Sequence, residues 1–286
     1  MPRLSEIQDR IQQVEDLRGV VGAMRSISAM RVQQVREAVE GIREYIRVVE
    51  EGISDALALI GVEDLTPEAL FPEGGERHTI VYCSEHGFSG KFNNRMLDRA
   101  QQQAERVPET RIGLVGTRGI RLAEARDLDI AWTSSMASHT ETVPEIAHDI
   151  EREAFGRFDP ETVDRLDVLY AVRRGRGGQF DVEHETLFPP ELDRFDKEVP
   201  ETGPVHYLEA RPLFAELITE FVLTELIRVT MESFLAENTS RLRAMQAARD
   251  NIDDELDDLT NRERQQRKKE ITSELLDVVS GYEALR

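Results

Sequence analysis

The chain has 286 residues, of which 40% are hydrophobic and 32% charged, so it can bury a core and also carries a large solvated surface. Its 36 basic and 56 acidic side chains give a formal net charge of -20, which excludes a protein whose whole surface binds nucleic acid or an anionic membrane. The single cysteine, Cys83, excludes an intramolecular disulfide and a thiolate metal cluster, and it fits a reducing compartment. We expect neither a signal peptide nor a membrane-spanning segment, because the apolar runs are too short or are interrupted by glutamates.

Apolar residues recur every three or four positions through the first sixty residues and predict one long helix. The series consists of Leu4, Ile7, Ile11, Val14, Val21, Val32, Val35, Val39, Ile42, Ile46, Val49, Ile53, Ala56 and Ile60. Because seven residues make two turns at about 3.5 residues per turn, this series keeps one narrow stripe toward a partner helix, as in a coiled coil. Such a helix is not stable alone in water, so we expect a second helix along the stripe.

The stripe is interrupted near its N-terminal third. Its register places Arg18, Arg25 and Ser28 at seam positions, and Gly19 and Gly22 lie beside them. One interpretation is a local change of coiled-coil period that sets the register of the two helices. The other is that the helix meets additional protein chains here, with the glycines allowing close approach.

The C-terminal segment after Pro212 predicts a second long helix. Its apolar residues are Leu213, Phe214, Leu217, Ile218, Phe221, Val222, Leu226, Val229, Phe234, Leu242, Met245, Ile252, Leu256 and Leu259. Residues 260–270 contain no apolar side chain, and residues 271–279 restore the stripe. The polar stretch is either a solvated surface or a basic collar that faces acidic groups on another protein.

Between the two helices the pattern changes to alternating strands and helices. We predict strands at 78–84, 111–116, 166–172 and 179–188, and helices from about 93, at 118–126 and at 143–158. A glycine-rich segment at 174–178 is expected to be a flexible approach to the last strand. Strand–helix–strand order predicts a mainly parallel sheet covered by helices, a Rossmann-like domain.

This α/β domain carries no recognisable catalytic motif. A phosphate loop needs a glycine where Glu85 precedes Gly90 and Lys91, and the dinucleotide fingerprint needs a glycine in place of Val115. The histidines show no metal-ligand spacing: His78, His86, His139, His148, His184 and His206. We therefore predict no cofactor, no metal site and no enzymatic activity for the chain.

The layout and several local motifs resemble the gamma subunit of F-type ATP synthases. The matching segments are 22–27 (GAMRSI), 84–93 (SEHGFSGKFN), 114–119 (LVGTRG), 241–251 (RLRAMQAARDN), 271–275 (ITSEL) and 278–281 (VVSG). The resemblance implies an antiparallel two-helix coiled coil formed by the N- and C-terminal helices, plus a central Rossmann-like α/β domain. The corresponding boundaries are 1–62, 77–205 and 210–286.

The resemblance also implies a function, namely a rotor shaft that couples ion flow through a membrane c-ring to the catalytic sites of an alpha/beta ring. The implied partners are the alpha, beta and epsilon subunits and the c-ring, at the cytoplasmic face of a bacterial plasma membrane, with the coupling ion open between proton and sodium. Implied contacts with the stator ring are Met24, Arg25, Arg241, Met245, Arg267, Lys268, Thr272 and Ser273. Implied contacts in the rotor foot are Gly87, Gly90, Lys91 and Asn93. The alternative is a coiled-coil tether or scaffold with an embedded ligand-binding domain.

Overall fold

The computed structural model describes residues 3–60, 70–71, 76–155, 163–174, 179–195 and 209–284. The chain divides into two units, a helical unit of residues 1–28 and 242–286 and a mixed unit of residues 29–241. The predicted boundaries at 62 and 205, and most of the glycine-rich segment at 174–178, lie outside the described residues. The three-part division therefore stays a prediction.

Two long helices begin and end the described chain. Helix α1 spans Leu4–Leu59, and helix α5 spans Ala210–Ala284. The predicted stripe of α1 is largely buried, with Ile7, Val14, Val21, Val32, Val35, Val39, Ile46, Val49, Ile53 and Ala56 all at most 7% exposed. Burial of one side of a long helix, with polar residues on the other, is the arrangement that the heptad pattern predicts.

In the helical unit the two helices pack side by side and run in opposite directions. Val14, Val21, Met245 and Ile252 form the apolar core of this unit. Polar contacts link Gln8 with Glu263, Arg10 with Glu255, Arg18 with Asp253, and Arg25 with Gln246. As the residue number increases along α1, the residue number of the partner on α5 decreases, so the two helices are antiparallel.

The same antiparallel order holds inside the mixed unit. There Arg43 on α1 bonds Glu232 on α5, and Tyr45 bonds Glu220. Farther along α1, Gly52 lies against the side chain of Leu217. The predicted antiparallel two-helix coiled coil is thus confirmed in each unit by itself.

The described part of the mixed unit contains a five-stranded sheet. Its strands are β1 (Glu76–Tyr82), β2 (Thr110–Val115), β3 (Trp132–Ser134), β4 (Val163–Arg174) and β5 (Gln179–Phe188). The order is β3-β2-β1-β4-β5, and every pair is parallel except β4 with β5. The mainly parallel sheet is confirmed, although the sequence analysis missed the short strand β3.

Helices cover both faces of the sheet. Helices α2 (Phe92–Arg106) and α3 (Thr117–Glu124) pack on one face, around a core that includes Leu97 and Leu169. Helix α4 (Val143–Phe155) and the segments of α1 and α5 in the mixed unit pack on the other face, around Ile80 and Leu166. A short 3-10 helix, Leu192–Phe195, adds Phe195 to this second core. Burial on both faces explains why β1 and β4 read as nearly continuous apolar runs.

Candidate partner-binding surfaces and the junction loop

The segment that follows β1, residues 84–91, is called the junction loop here. It leaves the carboxyl end of β1, next to β4, where the strand order changes direction and open α/β sheets bind their ligands. Asn93 on α2 accepts a hydrogen bond from the backbone N–H of Ser84 at 2.8 Å and donates one to the Ser84 hydroxyl at 2.7 Å. The Ser84 hydroxyl in turn donates to the carbonyl of His86 at 3.0 Å. The loop is therefore held by its own polar groups.

The carboxylate of Glu85 occupies the N-terminus of α3. It accepts bonds from the backbone N–H of Thr117 at 3.1 Å, the Thr117 hydroxyl at 2.6 Å and the backbone N–H of Met136 at 2.8 Å. Burial alone would raise the pKa of Glu85, but these three bonds stabilise the ionised form and lower its pKa overall. A helix N-terminus is a usual binding place for phosphate, and here the chain supplies its own anion.

Side chains from α5 bond the backbone of the junction loop. Arg241, which is 4% exposed, donates to the carbonyls of Gly87 at 3.1 Å and His86 at 3.2 Å. Ser240 donates to the carbonyl of Ser89 at 2.7 Å. Buried Glu237 pairs with Arg241, and burial raises the pKa of Glu237 although the positive charge of Arg241 opposes that rise. These bonds join the junction loop to α5.

The predicted stator contacts fall into two sets. Arg267, Lys268, Thr272 and Ser273 are exposed on the helical unit, and Met24 and Arg25 are partly exposed. Met245 is 4% exposed and packs in the core of that unit, whereas Arg241 belongs to the mixed unit and holds the junction loop. None of these positions is shown against a partner, so the contacts stay a prediction.

The predicted rotor-foot residues also differ in exposure. Gly90 and Lys91 are exposed and Gly87 is partly exposed, all three on the junction loop. Asn93 is buried and bonds Ser84, so it positions the loop and does not present a surface. Gly90 has a φ of 63°, a conformation that favours glycine.

The interruption of the α1 stripe is occupied by cross-helix polar pairs. Arg18 bonds Asp253 at 2.8 Å and Arg25 bonds Gln246 at 2.9 Å, both within the helical unit. No atom described in the structure lies within 4 Å of a Cβ added at Gly19. These pairs support the interpretation in which the interruption sets the register, and Gly19 is not used for close packing inside the chain.

The polar stretch of α5 forms ion pairs between residues of the same helix. Arg262 bonds Asp258 at 2.9 Å, and Arg267 bonds Glu263 at 2.8 Å, each four residues apart. All four of these side chains are on the helical unit, and only that of Glu263 is less than half exposed. Such pairs stabilise a solvated helix by only about 0.2–0.5 kcal/mol each, so they leave the charges available to a partner.

Apolar side chains are exposed on both helices of the helical unit. Leu17, Val20 and Ile27 on α1 are 51%, 57% and 46% exposed. On α5 the exposed apolar residues are Ile271, Leu275, Leu276, Val278 and Val279, so the stripe predicted to resume at 271–279 is not buried. On α1 the sequence signal is that Leu17, Val20 and Ile27 are apolar residues outside the seam register. Exposed apolar side chains on a charged helix favour a contact with another protein.

Among the described residues, no helix has a segment apolar enough and long enough to traverse a bilayer. In the same part of the chain, no cluster of His, Cys, Asp or Glu has the geometry to hold a metal ion.

Comparisons with known proteins agree along the whole chain. The family model described as ATP synthase matches residues 3–285. The ATP synthase gamma chain of Anaeromyxobacter dehalogenans strain 2CP-1 is 27% identical over 294 residues, and that of Roseobacter denitrificans is 26% identical over 293, with 100% of both chains covered in each case. The gamma chain of Synechocystis sp. strain PCC 6803 is 27% identical over 323 residues, again with 100% of both chains covered.

Solved structures show the same fold at lower identity. The rotor of the Euglena gracilis mitochondrial ATP synthase matches with a TM-score of 0.65 and 13% identity, covering 94% of this chain and 98% of that one. The central stalk and c-ring structure of the Tetrahymena thermophila mitochondrial ATP synthase contains a chain that matches with a TM-score of 0.55 and 16% identity, covering 80% of this chain and 99% of that one. With a family model that matches from residue 3 to residue 285, the chain belongs to the ATP synthase family.

Proposed function

We propose that this chain is the central rotor shaft of a rotary ATP synthase. It couples ion flow through the membrane c-ring to conformational change at the catalytic sites of the alpha/beta ring. The observation that carries the proposal is the match of the family model to residues 3–285, together with curated relatives named ATP synthase gamma chain that cover the whole chain. The antiparallel pairing of α1 and α5 in each unit supplies the stiff helical element that a shaft needs.

The surface of the helical unit suits a part that turns inside a ring. A rotor that bound tightly at one angle would stall there, so each contact with the ring has to be weak. Exposed ion pairs are worth about 0–1 kcal/mol, and the exposed charges of residues 258–268 are of this kind. The exposed apolar residues of α1 and α5 add contact area without directional bonds.

An asymmetric shaft acts on the ring by shifting populations. A surface that interacts differently with the open and closed forms of a catalytic subunit favours one form at each angle of rotation. The shaft itself makes and breaks no covalent bond. It is a non-catalytic subunit whose contribution is mechanical.

The partners follow from this role. We assign the stator-ring contact to Met24, Arg25, Arg267, Lys268, Thr272 and Ser273, which are at least partly exposed. Met245, in the core of the helical unit, and Arg241, which bonds the junction loop in the mixed unit, are the two buried members of the predicted set. We assign the contacts with the epsilon subunit and the c-ring to the junction loop through Gly87, Gly90 and Lys91, which Asn93 holds in place.

The location follows from the complex. The chain is a peripheral part of a bacterial membrane complex, and we place it on the cytoplasmic face of the plasma membrane. The coupling ion, proton or sodium, is a property of the membrane ring and is not assigned to this chain.

Co-purification and reconstitution test the rotor proposal. We expect a tagged version of this chain to recover alpha and beta subunits in molar excess, and ATP-driven ion pumping by the reconstituted complex to require the chain. The tether alternative predicts instead a stable homodimer that carries neither subunit. Recovery of the homodimer alone would overturn the rotor proposal.

A further inference from the structure

Two arginines and three glutamates form a connected set inside the mixed unit, called the linking network here. At its centre Glu225 on α5 is fully buried, at 0% exposure. Its carboxylate accepts a bond from Arg194 at 2.5 Å and one from Arg228 at 2.5 Å. The other two members, Glu50 and Glu185, bond the outer ends of these arginines.

Arg194 joins α1 to α5 through the short 3-10 helix that carries it. Its Nε donates to Glu50 on α1 at 2.7 Å, while its Nη2 donates to Glu225 on α5. Its guanidinium lies 4.8 Å from the centre of the Phe221 ring, also on α5. One side chain therefore fixes the relative position of three elements.

Arg228 joins α5 to the sheet. Its Nη2 donates to Glu185 on β5 at 2.8 Å, and its Nη1 donates to the hydroxyl of Tyr170 on β4 at 3.1 Å. The Tyr170 hydroxyl donates to Glu185 at 2.6 Å, which closes the set. Burial alone would lower the pKa of Arg228, but Glu225 and Glu185 raise it overall, so the guanidinium stays charged.

Such a network is a poor means of gaining stability. Desolvating buried charges costs about as much as their attraction returns, and apolar side chains of similar volume often stabilise as well or better. Charge-assisted bonds from one guanidinium to two carboxylates instead fix the relative geometry of the elements that carry them. The apolar contacts between α1 and α5 are less directional than these bonds, so the network adds to the resistance that packing gives against sliding or twisting.

We propose that Arg194 and Arg228 are positioning residues that lock the sheet and the two long helices into one torsionally stiff body, so that torque applied to the sheet reaches the helices without loss. The proposal rests on the rotor function proposed above. It assigns the stiffness of the mixed unit to bonds that link the sheet, the 3-10 helix, α1 and α5.

The test uses the complete ATP synthase with the double substitution Glu50→Gln and Arg194→Met. This change removes the bonds of Arg194 to Glu50 on α1 and to Glu225 on α5, keeps the net charge, and leaves the Glu225–Arg228 pair in place. The matched control is Glu44→Gln with Arg47→Met, which removes an exposed pair on the same helix whose atoms are 2.9 Å apart. Torsional stiffness is read from the angular fluctuations of a probe attached to the rotor, and coupling from ions pumped per ATP hydrolysed.

We expect the double variant to assemble and hydrolyse ATP with a larger angular variance and fewer ions pumped per ATP, because the bonds that tie the 3-10 helix to α1 and α5 are lost. The control should match the parent complex in both measurements. Unchanged variance in an assembled, rotating complex would overturn the inference and leave the rotor function standing. Failure of the parent chain to assemble with alpha and beta would overturn the rotor function itself.

A second variant separates positioning from simple stabilisation. Arg194→Lys keeps the positive charge but loses the planar fork that bonds two glutamates at once. We expect Arg194→Lys to assemble with unchanged thermal stability and still to show increased angular variance. If the double variant does not assemble, Arg194→Lys alone tests the proposal. Parent-like variance in Arg194→Lys would contradict a positioning role.

Discussion

Glu85 shows how one residue can be read correctly in the sequence without its role being visible there. The sequence places a glutamate where a phosphate loop requires glycine, and this excludes that motif. The structure adds that the same carboxylate bonds Thr117 and Met136, residues that lie far along the chain. Bonds between residues so distant in sequence carry no periodic signal, so only the exclusion could be predicted.

Replacing Glu85 tests this role. Glu85→Gln should lower the free energy of unfolding at pH 7 by about 1–2 kcal/mol, because bonds from N–H groups to a charged acceptor are replaced by weaker ones. The folded pKa of Glu85 lies below its ordinary value of 4.5, so the unfolded chain binds its proton at the higher pH. The contribution of Glu85 is therefore complete above pH 4.5 and is lost as the pH falls through the folded pKa.

Urea unfolding followed by circular dichroism at neutral and acidic pH measures both effects. The difference between parent and Glu85→Gln should shrink as the pH falls. The control is Glu109→Gln, since Glu109 is exposed on the turn before β2. Equal stability of parent and Glu85→Gln at pH 7 would show that the carboxylate does not hold the end of α3.

At the scale of elements, the glycines of β2 and α3 set how closely strands and helices pack. A Cβ added at Gly119 on α3 would lie 2.1 Å from the Cβ of Cys83, and one added at Gly113 on β2 would lie 2.1 Å from the Trp132 ring. Both distances are far below van der Waals contact. The Gly113 position explains how the bulky Trp132 begins the short strand β3 directly beside β2.

Replacing Gly119 and replacing Gly41 with alanine should therefore change the stability of the chain in opposite directions. Gly119→Ala should destabilise the chain by about 1–3 kcal/mol, the usual result of overpacking a core. Gly41→Ala should stabilise it by about 1 kcal/mol, because Gly41 lies inside α1 with no described atom within 4 Å of the added Cβ. Thermal unfolding of the two variants compares them, and a stabilised Gly119→Ala would show that α3 can move away from Cys83.

The elements with long periodic patterns were predictable, and those defined by distant partners were not. The α1 stripe is buried as its register indicates, and the strands around Ile80, Leu114 and Val168 lie at the centre of the sheet. Strand β3 has three residues and no alternation to detect. The bonds from Arg241 to the junction loop could not be predicted, because they depend on where residue 241 of a 75-residue helix meets a loop near residue 87.

At the scale of the whole molecule, charge reversal on α5 tests the proposed stator contact. Replacing Arg267, Lys268 and Lys269 with glutamate should impair ATP-driven pumping, because these exposed cations are proposed to face the ring. The isolated chain should remain folded, since exposed ion pairs contribute little to stability. The measurements are pumping by the reconstituted complex and circular dichroism of the chain. Reversal at Arg36, Arg47 and Arg106, which are exposed and outside the proposed contacts, is the control. Normal pumping by the variant with Arg267, Lys268 and Lys269 replaced would show that these three residues do not contact the stator ring.

The bonds that hold the junction loop have one further consequence. Other proteins with this type of α/β sheet bind nucleotides at the same edge of the sheet. The rotor shaft has this sheet and turns among subunits that handle adenine nucleotides. Here Glu85 and Arg241 already occupy that edge. The N-terminus of α3, where such a fold would receive a phosphate, is consequently already bonded to a carboxylate of the chain itself.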